Sequence, residues 1–196
     1  VAVGDAATLG ATAPIFVALL AGPQLGERVG RRLWLAVAMA FAGIVLLVRP
    51  SFALAAPVAA VATAGAFCYA LAMIWLRRIG PGESHEAVVL HFSLVALGAM
   101  LVLAIPSWTW PDARSGFYLL GAGLGGGGAQ IAMTRAYSLQ RATPVTALSY
   151  LGAVFTYLLA LPLFPERPAP WQIAGALLVL LATALVGASS ARPRYL

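Results

Sequence analysis

The sequence contains no lysine, one cysteine, two histidines and only six acidic residues in 196 positions. Charged residues make up 9% of the chain, against roughly 25% in an ordinary soluble domain. That is too little to cover a surface that faces water. A single cysteine excludes an intramolecular disulfide, and Cys68 stands inside an apolar run, where it reads as a small packing residue. Scarce acids and histidines also remove the usual catalytic and metal-binding sets. There is no HExxH, no GxSxG, no Cys/His cluster and no glycine loop followed by Lys-Ser/Thr. His85 and His91 are six residues apart, off the i, i+4 spacing of helical metal ligands. Neither an enzyme nor a cofactor nor a metal is expected. The net charge of +6, carried by twelve arginines, would suggest nucleic acid in a soluble chain. Here the arginines lie between or at the ends of apolar runs, so membrane topology explains them and nucleic acid is not expected as a partner.

Apolar residues occupy 62% of the chain. Long apolar runs broken by Pro, Gly and Arg predict seven membrane-spanning helices, over 5–25, 32–49, 54–76, 86–105, 115–138, 144–164 and 170–188. Each can cross a hydrocarbon core of about 30 Å at about 1.5 Å per residue, and the lipid bilayer is the first expected partner. Helices are required because hydrocarbon cannot satisfy open backbone groups. Trp34, Trp75, Trp108, Trp110 and Trp171 all fall at or just beyond span ends, where an indole has one dry and one wet side. Alternating the loops between two faces puts Arg28, Arg31, Arg32, Arg77, Arg78, Arg135, Arg141, Arg192 and Arg194 on one side. Only Arg49, Arg114 and Arg167 fall on the other. Nine against three makes the first face cytoplasmic, in the plasma (bacterial inner) membrane, with a cytoplasmic C-terminus. An odd number of spans then leaves Val1 outside with no charged n-region before it, so an odd number of further helices is expected upstream.

The chain also resembles itself. Residues 5–48 moved by 139 positions lie over 144–187 and bring Phe16, Leu19, Pro23, Glu27 and Arg28 onto Phe155, Leu158, Pro162, Glu166 and Arg167. Leucines match easily by chance; Pro-x-x-x-Glu-Arg between two apolar runs does not. By the loop assignment the two copies face opposite sides of the membrane, a construction common in secondary transporters.

These stretches resemble the EamA family of the drug/metabolite transporter superfamily. The resemblance rests on Asp5–Leu20, Leu25-Gly-Glu-Arg28, Ala42–Val48, Thr134-Arg-Ala-Tyr137, Ala147-Leu-Ser-Tyr150, Pro165-Glu-Arg-Pro168 and Gly175-Ala-Leu-Leu. It implies a ten-helix protein of two inverted five-helix repeats with both termini cytoplasmic. This chain would be its C-terminal part: residues 1–50 the last two helices of the first repeat, 54–188 the second repeat, and 189–196 a cytoplasmic tail. The implied activity is export of a small, amino-acid-like metabolite by alternating access. The rival reading is a non-transporting membrane subunit or an inactive truncated transporter. A homodimer is a secondary expectation.

Candidate pathway residues are few. Gln130, Thr134 and Tyr137 follow one another by four and three positions and share a helical face. His91 lies within the fourth span, where it either exchanges protons near neutral pH or hydrogen-bonds across helices. Proton coupling rests on the first of these readings. Tyr150 offers a hydroxyl to a polar pocket, and a kink at Pro14 would bend the pathway. Gly123, Gly125, Gly126, Gly127 and Gly128 predict close helix packing or a hinge. Glu27, Arg28, Glu166 and Arg167 are read as structural, capping or holding helix-to-helix turns.

Overall fold

The computed structural model describes residues 3–51, 55–160 and 169–190, and every regular element among them is helical. In chain order the α-helices are α1 (Val3–Gly10), α2 (Ala13–Leu25), α3 (Arg31–Val48), α4 (Ala56–Ile79), α5 (His85–Ala104), α6 (Ala113–Leu139), α7 (Ala142–Leu148), α8 (Leu151–Ala160) and α9 (Pro170–Ser190). Two 3₁₀ turns, Gly80–Gly82 and Ile105–Ser107, follow α4 and α5.

Local chemistry accounts for the helix ends. After α2, Gly26 adopts a left-handed conformation (φ 66°). Its amide and that of Glu27 bond back to the carbonyls of Gly22 and Ala21 at 3.0 and 3.1 Å, a closing turn that a side chain at Gly26 would resist. Ser84 caps α5 by accepting from the Ala87 amide at 3.1 Å. Asp112 does the same for α6 by accepting from the Ser115 amide at 3.2 Å.

Among the described residues, six helical stretches are long and apolar enough to cross a membrane: Gly4–Leu25, Arg31–Val48, Ala56–Ile79, His85–Ala104, Ala142–Leu159 and Pro170–Ala188. The protein is a multi-pass membrane protein. A seventh span is expected from the sequence over 115–138. That stretch is helical throughout, within α6, but it is not among the six, because its glycines and Gln130 dilute its apolar side chains. Apolar exposure agrees with a lipid solvent. Leu90, Leu94, Leu97, Leu101 and Leu103 of α5 all stand open, an arrangement water would not tolerate over such an area.

The chain divides into two compact units, residues 1–78 with 140–196, and residues 79–139. In the first, α3 and α9 pack along their lengths. The buried line Ala36, Ala40, Gly43, Leu47 on α3 meets the buried line Gly175, Val179, Ala182, Val186 on α9. Each position on the second line is 139 residues after its counterpart on the first. The helices approach closely because a Cβ on Gly43 would lie 2.8 Å from the Gly175 carbonyl oxygen, and one on Gly175 would lie 2.7 Å from that of Gly43. Small residues permit this backbone approach, which maximises dispersion contact where lipid supplies no hydrophobic drive. Tyr150 and Val154 pack onto the same core.

In the second unit α5 and α6 form a hairpin. His85 Nε2 lies 2.5 Å from Ser138 Oγ. The Ser138 hydroxyl also lies 2.8 Å from the Arg135 carbonyl, to which it donates. At the other end of the hairpin Trp108 and Trp110 meet edge to face, 5.7 Å between ring centres.

Candidate functional site

Two spans of the first unit are interrupted, and the interruptions touch. In the first, α1 gives way to α2 at Ala11 and Thr12. Pro14 has no N–H, so the Gly10 carbonyl cannot receive its helical i+4 bond. The chain tightens instead: the Thr12 amide bonds to Leu9 at 3.1 Å and the Ile15 amide to Thr12 at 2.9 Å. In the second, α7 gives way to α8 at Ser149 and Tyr150. Here the amides of Ser149, Tyr150, Gly152 and Ala153 all bond three residues back, at 3.0, 3.4, 2.9 and 3.2 Å. Short 3₁₀ stretches inside longer helices often mark hinges.

The Tyr150 hydroxyl donates to the Ala11 carbonyl at 2.8 Å. Ile15, the residue that would normally serve that oxygen, has turned to Thr12. Tyr150 therefore satisfies a backbone acceptor that the interruption leaves open, inside a solvent where an open acceptor is costly. Ala11 and Tyr150 are 139 residues apart, the offset that relates α3 to α9. Tyr150 is a sequence candidate; Ala11 is not, since an alanine carries no side-chain signal and acts here through its carbonyl. Pro14 is buried beside this turn.

At one end of the same unit the Glu27 carboxylate gathers three segments. It accepts from Arg77 Nε at 3.3 Å, where α4 ends, and from the Ala142 amide at 3.1 Å, where α7 begins. The Glu27 side chain is only 10% exposed, so the arrangement is a largely shielded cap on α7 tied to a cation. Arg28 is exposed. Glu166 and Arg167 lie outside the described residues. Beside this cap, Thr143 is buried and its hydroxyl has no partner among the described residues. At another place in the unit, buried Asp5 accepts from the Ser51 hydroxyl at 2.7 Å and from the Ser51 amide. Sequence reading does not single out Asp5 as a site residue, although an acid within an apolar run is itself a signal.

The remaining candidates sit in the second unit. Thr134 and Tyr137 are buried and Gln130 is half-buried on one face of α6. The Thr134 hydroxyl is buried with no partner among the described residues. His91 is exposed on α5. Gly123, Gly125, Gly126, Gly127 and Gly128 lie in unbroken α-helix, and a Cβ at any of them would meet no atom within 4 Å. Among the described residues no three His, Cys, Asp or Glu side chains come together to hold a metal ion.

The fold has known relatives. Residues 57–188 match the model of the EamA-like transporter family. The chain belongs to this family. A riboflavin transporter of Vibrio cholerae is 28% identical over 181 residues, covering 89% of this chain and 59% of the relative. The pseudopaline exporter CntI of Pseudomonas aeruginosa is 28% identical over 180 residues, covering 91% and 63%. The chain thus spans about three-fifths of the length of these two relatives. A protein of known crystal structure has the same fold, with a TM-score of 0.82 over 94% of this chain and 68% of its own, at 21% identity. Its match to this family member carries the fold alone.

Proposed function

We propose that this family member is part of a secondary transporter that moves a small polar or amphipathic metabolite, amino-acid-like in character, out of the cytoplasm by alternating access. The observation that carries the reading is the bond between Tyr150 and Ala11. It joins two interrupted spans at positions one repeat length apart, and discontinuous helices at the interface of two repeats are the usual construction of a secondary carrier's site. Interrupted helices expose backbone groups and bend, which continuous packing helices do not. In this reading the whole transporter has ten helices in two inverted repeats, of which this chain supplies the last seven. The nine-to-three arginine bias supports a cytoplasmic C-terminus in the plasma (bacterial inner) membrane. Gln130, Thr134, Tyr137 and Tyr150 are proposed to line the pathway, and His91 to be the group through which protons couple.

The test is expression of the full-length transporter in a host that lacks its own exporters, with survival and efflux measured against a panel of toxic amino acids and related metabolites. Selective resistance with faster efflux of one compound class is the expected result. Stable, membrane-inserted protein that alters neither would favour a non-transporting membrane subunit. Efflux unchanged by collapse of the proton gradient would remove the proton-coupling part alone.

A further inference from the structure

The two interruptions look alike but have different causes. The one between α1 and α2 is imposed covalently, since Pro14 lacks the N–H that a continuous helix would need at that place. The one between α7 and α8 has no such cause, because residues 145–161 contain no proline. Side-chain hydrogen bonds accompany it. Thr146 Oγ1 donates to the Ala142 carbonyl at 2.8 Å, and Ser149 Oγ donates to the Thr146 carbonyl at 2.7 Å. The Thr146 carbonyl also takes the Ser149 amide at 3.0 Å, so it is doubly occupied and unavailable to the Tyr150 amide. Hydroxyls that bond back to carbonyls in this manner bend helices without breaking them. The Tyr150 hydroxyl then anchors the tightened turn to Ala11 across the core.

We propose that the α7–α8 interruption is a reversible break latched by Tyr150, whereas the α1–α2 interruption is permanent. When the Tyr150 hydroxyl leaves Ala11, residues 146–153 convert from three-back to four-back bonding, and α7 and α8 become one helix. Every atom needed for that conversion is present: each residue from Val145 to Leu161 has an amide hydrogen to donate. In a carrier that alternates between two states, one fixed bend and one switchable bend distinguish the states without unfolding either span. This use of the latch rests on the transporter reading, while the latch itself does not.

Hydrogen exchange on the chain in lipid nanodiscs separates the two. Tyr150→Phe keeps the ring and removes the donor. It is expected to slow amide exchange across 149–153 by about fivefold, the population shift that one hydrogen bond supplies. Exchange at 11–16 is expected to stay as it was, because Pro14 remains. Exchange across 149–153 that is unchanged or faster, with α3 and α9 still protected, overturns the latch. Gly152→Ala covers the case in which Tyr150→Phe does not fold. Nothing lies within 4 Å of its new methyl group, and better helix propensity alone should slow exchange over the same residues by about fivefold. Where Tyr150→Phe does not fold, exchange that Gly152→Ala leaves unchanged or faster overturns the proposal. Failure of the efflux assay with slowed exchange leaves the latch standing and removes the transporter reading.

Discussion

Gly43 and Gly175 face each other so closely that each backbone fills the place where the other's side chain would begin. A Cβ on Gly175 would lie 2.7 Å from both the Gly43 carbonyl oxygen and the Leu47 amide, atoms that belong to a helix backbone and cannot step aside. Gly175→Ala is therefore expected to destabilise the first unit by about 1–3 kcal/mol, measured as the unfolding midpoint in mixed micelles. Gly125→Ala is the contrast: its methyl group meets open space, and it should be neutral or stabilising by up to about 1 kcal/mol. Equal losses at both positions would show that the approach of α3 and α9 is not what makes Gly175 necessary.

The Glu27 cap gives a second expectation. Removing the charge with Glu27→Gln weakens the bond to Arg77 and the bond to the Ala142 amide together. A loss of about 1–3 kcal/mol is expected for a half-buried, charge-assisted partner. Arg77→Gln should cost less, and the double variant less than the sum, because the two share one interaction. Strict additivity would mean that the pair is not coupled.

Pro14→Ala restores an amide where the first interruption lacks one. The change should let the Gly10 carbonyl find a partner and straighten α1 into α2, raising stability by as much as about 3 kcal/mol. Exchange protection should appear at residue 14 and spread to Ala13. A loss of stability instead would mean that the bend is held by its surroundings and not by the proline.

Asp112, in the loop before α6, provides a pH test. The Ser115 hydroxyl and then the Ser115 amide bond to its carboxylate and hold its pKa below the ordinary value of 3.8. A depressed folded-state value means that the cap's contribution is present above pH of about 4 and is lost as pH falls through the folded value. Protection of the first turn of α6 should therefore weaken only as pH falls below about 4. Asp112→Asn, which retains a capping oxygen but does not titrate in that range, should flatten the dependence. An identical pH profile in the variant would assign the weakening to another group.

Some of this molecule is readable from its residues in order. Apolar runs of membrane length, tryptophans at their ends and arginines between them each depend on a segment meeting its solvent. Such preferences are local and additive, so they survive without knowledge of neighbours. The stretch containing Gly121–Gly128 shows where that logic weakens. Its residues form continuous α-helix although their composition suggests either packing or a hinge, and their dilution of apolar side chains keeps α6 below the hydropathy of the other spans.

The internal offset of 139 residues is likewise legible, and it matches the sequence of α3 to that of α9. That these two helices touch along the small faces containing Gly43 and Gly175 follows only from packing, because the close approach depends on residues more than 130 positions apart in the chain. The same is true of Ala11. Its carbonyl matters because a proline three residues later and a tyrosine in a remote span leave it one partner in place of another. Composition and pattern decide which segments are helical and lipid-bound, since each segment answers to its solvent alone. Tertiary structure decides which backbone groups in those helices lose their ordinary partners and which remote side chain replaces them.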